Sequence, residues 1–112
     1  MKYPLIKNYI NGRFIEAHTK RSLDVISPID GSKLSQVGMS TAKDLDEAVK
    51  AAKAAFGPWS RTPIKERVQV FFRYKSLLEE NLQQLAQLCS EENGKTLGEA
   101  TAEIEKCIEL TE

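Results

Sequence analysis

The sequence predicts an α+β chain: N-terminal antiparallel strands, then three or four helices. Three observations carry that expectation. Asn11-Gly12 sits between Tyr9-Ile10 and Arg13-Phe14-Ile15. This is the strongest short hairpin signal, because a two-residue type I′ turn needs positive φ at both positions. From Thr41 the apolar period changes to a helical one. Stop and cap signals then divide the helical stretch at residues 57–63, at Asn81 and at Gly94-Lys95-Thr96. The chain divides on this basis into strand pairs over residues 1–40 and a helical part over 41–112.

Each element has its own justification. The first hairpin flanks Asn11-Gly12. Leu23-Asp24-Val25-Ile26 forms the next strand, and Ser27-Pro28-Ile29-Asp30-Gly31 is turn chemistry, in which Pro pre-sets φ and Gly tolerates positive φ. Lys33 to Val37 returns as a strand with a bulge or shortened pairing, since Leu34 and Val37 fall on opposite faces. Thr41 and Asp44 resemble a capping box. Leu45, Ala48, Val49, Ala52, Ala55 and Phe56 follow as one apolar stripe. Gly57-Pro58 is expected to end that helix. Thr62 caps the next one and Pro63 occupies its first turn, where a missing N–H costs nothing. Ile64, Val68, Phe71, Leu78 and the Lys75 stem line its expected inner face. Asn81 breaks or restarts the run. Leu82, Leu85, Leu88 and Cys89 continue an apolar face to Gly94. Thr96 and Glu99 form a capping box for the last helix, with Leu97, Ala100, Ile104, Cys107 and Ile108 inward. Its end at Thr111-Glu112 has no Gly, Pro or basic last turn, as expected of a chain cut inside an element.

Composition narrows the function classes. Sixteen basic residues balance sixteen acidic ones. Residues 1–40 hold six Lys/Arg and three Asp/Glu, and no basic stripe marks a nucleic-acid partner. No apolar run suits a signal peptide or a membrane span, so no membrane partner is expected. Cys89 and Cys107 show neither metal nor redox spacing and read as half-buried helix thiols of a reducing, cytoplasmic compartment. His18, the only histidine, reads as a solvated loop residue. No nucleophile has a base beside it in sequence, and no Gly-rich phosphate loop occurs. The chain itself is therefore expected to have no catalytic and no cofactor-binding residue.

Five motifs occur in order: Tyr9-Ile10-Asn11-Gly12-Arg13-Phe14, Val25-Ile26-Ser27-Pro28-Ile29-Asp30-Gly31, Ala54-Ala55-Phe56-Gly57-Pro58-Trp59, a helix bearing Arg67, Arg73, Tyr74, Leu77 and Leu78, and Ser90-Glu91-Glu92-Asn93-Gly94-Lys95-Thr96. In this order they resemble the N-terminal portion of the aldehyde dehydrogenase family, from about Asn8 to Glu112. Arg73-Tyr74, Leu77-Leu78-Glu79-Glu80-Asn81-Leu82 and Gly94-Lys95-Thr96-Leu97 look closest to its CoA-acylating methylmalonate-semialdehyde branch. The resemblance implies a fragment of a larger α/β fold, with residues 41–112 the helical part of an incomplete nucleotide-binding domain. It implies a parent enzyme that uses NAD or NADP to oxidise an aldehyde or semialdehyde through a Cys thiohemiacetal. The nucleophilic Cys, the general-base Glu and the nucleotide-binding segments would lie beyond Glu112.

The resemblance also implies site residues. Glu92, just before the Asn-Gly-Lys turn, and a backbone carbonyl near Ile26 match positions that hold a monovalent cation in many members. The same turn reads equally as Gly94 closing a helix with Lys95 offsetting its dipole. Lys106 matches the place where the semialdehyde branch holds a substrate carboxylate with an Arg. Lys supplies the charge without the planar fork. Among Glu103, Glu105 and Glu109 it also reads as a solvated ion-pair residue. Expected partners are the rest of its own polypeptide and, when complete, further copies in a homo-oligomer. The other reading is a free-standing small helical interaction module without enzyme activity.

Overall fold

The computed structural model describes all 112 residues, Met1–Glu112. Four short strands precede four helices: β1 (Asn8–Ile10), β2 (Arg13–Ile15), β3 (Ser22–Ile26), β4 (Lys33–Gly38), α1 (Ala42–Arg61), α2 (Ile64–Glu80), α3 (Leu82–Asn93) and α4 (Leu97–Thr111). The strands form two separate antiparallel pairs, β1 with β2 and β3 with β4. The expected α+β architecture is present. The chain divides into two compact units, one of residues 1–26 and 32–61, the other of residues 27–31 and 62–112.

In the first unit, the Asn11-Gly12 turn takes positive φ at both positions, 52° and 77°. That places Tyr9 opposite Phe14, with their rings tilted at 4.9 Å between centroids. In the second pair Val25 faces Ser35 while Ile26 faces Lys33. Leu34 is therefore the extra residue of a bulge, and it turns inward, 6% exposed. Ser35 Oγ donates to the Pro4 carbonyl at 2.6 Å, so the N-terminal segment is held against β4. α1 departs from expectation. It continues through Gly57-Pro58 to Arg61. Pro58 removes the N–H that would bond the Ala54 carbonyl, and only one turn of helix lies beyond it. The expected stripe is also open: Leu45, Val49 and Phe56 are 63%, 55% and 71% exposed.

In the second unit, Pro63 itself takes the cap position of α2 that Thr62 was expected to fill. Its carbonyl accepts from the Glu66 and Arg67 N–H groups. α2 fully buries none of its residues: of the expected inner face Lys75 and Leu78 are half-buried, while Ile64, Val68 and Phe71 are exposed, Phe71 by 54%. Asn81 does separate α2 from α3. The contact that closes this unit is α3 against α4, with α4 also meeting α2. Ala86 of α3 and Ala100 of α4 are fully buried. Small side chains let two helices approach closely, and Ala carries little side-chain entropy to lose. Ile104 and Ile108 are half-buried on the same helix as Ala100, whereas Leu97 and Cys107 are exposed, against expectation. The capping box at the start of α4 is complete: Glu99 N–H donates to Thr96 Oγ1, and Thr96 N–H donates to Glu99 Oε2.

Candidate functional site

The densest polar constellation lies at the start of α1. Thr41 N–H donates to Asp44 Oδ2 at 2.7 Å, and Asp44 N–H reaches back to Thr41 Oγ1 at 3.5 Å, closing the expected capping box. The loop after β2 adds a second set of contacts. His18 N–H donates to Asp44 Oδ1 at 3.0 Å, and His18 Nδ1 lies 2.6 Å from the same oxygen. Asp44 is only 3% exposed. The backbone N–H groups of Thr41 and then of His18 hold its carboxyl well below the usual carboxylate range. Glu47, less than one helical turn on, brings Oε2 to 4.0 Å from His18 Nδ1. The ligand atoms of His18, Asp44 and Glu47 lie within 4.8 Å of one another. His18 is a loop residue that stays exposed, as expected, but it is paired with Asp44, against the expectation that it has no partner. Thr41 three residues from Asp44 made the cap legible. Nothing local signalled a partner 26 residues away.

A second constellation surrounds the Asn-Gly-Lys turn. α3 ends with Gly94 at φ 76°, its N–H donating to the Ser90 carbonyl. Ser90 Oγ donates to the Lys95 carbonyl at 2.7 Å. Lys95 Nζ pairs with Glu103 Oε2. That pairing raises the Lys95 ammonium and lowers the Glu103 carboxyl from their ordinary values. Cys89 Sγ lies 3.6 Å from the same carboxylate oxygen. Partial burial first, and then Glu103, push the Cys89 thiol up, which is the reverse of nucleophile activation. Cys107 is exposed, not half-buried as expected.

The residues singled out from sequence fall as follows. Glu92 lies in the last turn of α3, in the second unit, and Ile26 closes β3 in the first. Lys106, on α4, pairs with Glu109 at 2.7 Å, both side chains 64% exposed. A nicotinamide dinucleotide needs N–H groups of a Gly-rich strand-to-helix turn at the edge of a parallel sheet. Here both strand pairs are antiparallel, Gly12 turns a hairpin and Gly94 closes a helix. These residues do not fit that group.

No helix is long and apolar enough to cross a membrane. The family model "Aldehyde dehydrogenase family" matches residues 14–112. Among curated relatives, a malonate-semialdehyde dehydrogenase of Bacillus pumilus is 42% identical over 96% of this chain and 22% of its own length. Malonate-semialdehyde dehydrogenase 1 of Geobacillus thermodenitrificans is 44% identical over the same shares. A solved methylmalonate-semialdehyde dehydrogenase from Sinorhizobium meliloti, complexed with NAD, superposes at a TM-score of 0.92. It is 31% identical, over 99% of this chain and 22% of its own. The present chain thus spans about a fifth of the length of the relatives it matches, and it belongs to the aldehyde dehydrogenase family.

Proposed function

We propose that this chain is the N-terminal part of an NAD(P)-dependent aldehyde dehydrogenase that acts on a semialdehyde, and that it supports the catalytic machinery and holds none of it. One observation carries the reading: 42% identity to a malonate-semialdehyde dehydrogenase extends over 96% of this chain but only 22% of that enzyme. The surface supports it. The only buried hydrophobic residues are Leu34, Ala86 and Ala100, too few for a free-standing module. The chemistry of the residues supports it as well. Thioester formation needs a thiolate beside a base and donors aimed at the developing oxyanion, and the Cys89 thiol is pushed the wrong way.

The same reading assigns three finer features. Glu92 is a ligand of a monovalent cation, supported by its place in a helix's last turn, where unpaired carbonyls also point. Lys106 attracts a substrate carboxylate, supported by its exposure on α4, in competition with Glu109. The complete enzyme is a homo-oligomer.

The test is a chimera in which this chain replaces the matched segment of the Bacillus pumilus enzyme. It should retain NAD-dependent aldehyde oxidation, while the 112-residue chain alone binds neither NAD nor NADP in calorimetric titration. A folded, inactive chimera would overturn the assignment, and so would micromolar cofactor binding by the chain alone.

A further inference from the structure

We propose that His18, Asp44 and Glu47 form a binding site for a borderline divalent transition metal ion such as Zn2+. The three side chains come from two separate places, the loop after β2 and the first turns of α1. Their ligand atoms converge within 4.8 Å. An ion held at ~2.1 Å by one imidazole nitrogen and two carboxylate oxygens needs donors ~3–4 Å apart. The pair His18 Nδ1 to Asp44 Oδ1 is at 2.6 Å and His18 Nδ1 to Glu47 Oε2 at 4.0 Å, so small side-chain rotations suffice. Asp44 is fixed beforehand. Thr41 N–H and Oγ1–H occupy Oδ2, and His18 N–H holds the loop backbone to Oδ1. The metal would take the place of the direct His18 Nδ1–Asp44 Oδ1 contact, and any hydrogen carried there passes to solvent. His18 and Glu47 are 42% and 44% exposed, so the ion has an open entry and water completes its shell. An imidazole donor selects Zn2+, Co2+ or Ni2+ over Mg2+ and Ca2+, which prefer all-oxygen shells. The bound ion clips the loop to the helix. The site shares no residue with those assigned under the proposed function and does not depend on that reading.

The test uses the whole chain carrying Cys89→Ser and Cys107→Ser, so that no thiol competes. Zn2+ alone is titrated by calorimetry, and the imidazole is followed by nitrogen-detected NMR. The chain has a single histidine, so the signal is unambiguous. Expected is one-to-one saturation with a Kd below about 50 μM and a shift at Nδ1. Glu47→Gln, an exposed change that leaves the cap intact, should weaken binding at least about tenfold. His18→Asn should abolish it. Millimolar Mg2+ should not compete. No saturation by 1 mM Zn2+, coordination through Nε2, or undiminished affinity in Glu47→Gln would each overturn the proposal.

Discussion

Gly94 shows how much one missing side chain can carry. Its φ of 76° lies where L residues rarely go, and a Cβ added there would sit 3.1 Å from Pro28 Cγ. Gly94→Ala should therefore cost about 1–3 kcal/mol, read as a lower urea midpoint at unchanged slope. Gly98→Ala is the control. Its Cβ would meet open space within a helix. That change should stabilise by about 0.5–1 kcal/mol. If both variants matched the parent, the cap would be relaxing. Gly94 was legible in the sequence because Asn-Gly-Lys after an apolar helical run has one common meaning. His18 was not, because its partner is contributed by another element. Local chemistry is written in neighbouring residues, and tertiary pairing is not.

At the scale of elements, the amphipathic stripes located helices correctly but did not show what covers them. Val68 and Phe71 share a face of α2, as spacing required, yet they are 39% and 54% exposed. Phe71→Ala should cost about 1 kcal/mol or less by chemical denaturation, against ~3–5 for a closed core. Ala86→Leu should cost more, about 1–3 kcal/mol, because it overpacks the α3–α4 contact. The reverse ranking would mean that α2 is covered in solution. The extension of α1 through Pro58 was missed for a different reason. A proline forbids only its own N–H bond and crowds one carbonyl, so a final turn can still form around it. At the start of α4, the Thr96 N–H lowers the Glu99 carboxyl below its ordinary value. Its unfolded pKa is about 4.3, so its contribution is complete above that value and fades as pH falls through the lower folded one. Melting temperature should fall between about pH 5 and pH 3, and Glu99→Gln should flatten that slope. An unchanged slope would assign the acid sensitivity to Glu103, Asp24 or Asp44, whose carboxyls are also lowered.

The whole molecule exposes 8681 Å² of accessible surface. Large apolar side chains on that surface include Phe56, Trp59, Phe71, Phe72 and Tyr74. Isolated, the chain should bind a hydrophobic dye or self-associate in sedimentation at rising concentration, and the chimera with its relative should lose that behaviour. A dye-silent monomer would favour the helical-module reading. The family and its order of elements were readable from five motifs, because strand pairs, caps and turns are short-range. The open helix faces followed from the family resemblance, which implies a larger fold around them, and not from the stripes, which are identical with or without a covering layer. The Ser27–Gly31 turn connects two strands of the first unit but belongs to the second, where Pro28 abuts Gly94. For gene shuffling among relatives, a crossover between Arg61 and Thr62 would look like a clean seam. It would nonetheless pair one parent's turn with the other parent's helices. Functional recombinants should therefore co-inherit codons 27–31 with codon 94, a linkage that a map of domain boundaries drawn along the chain would miss.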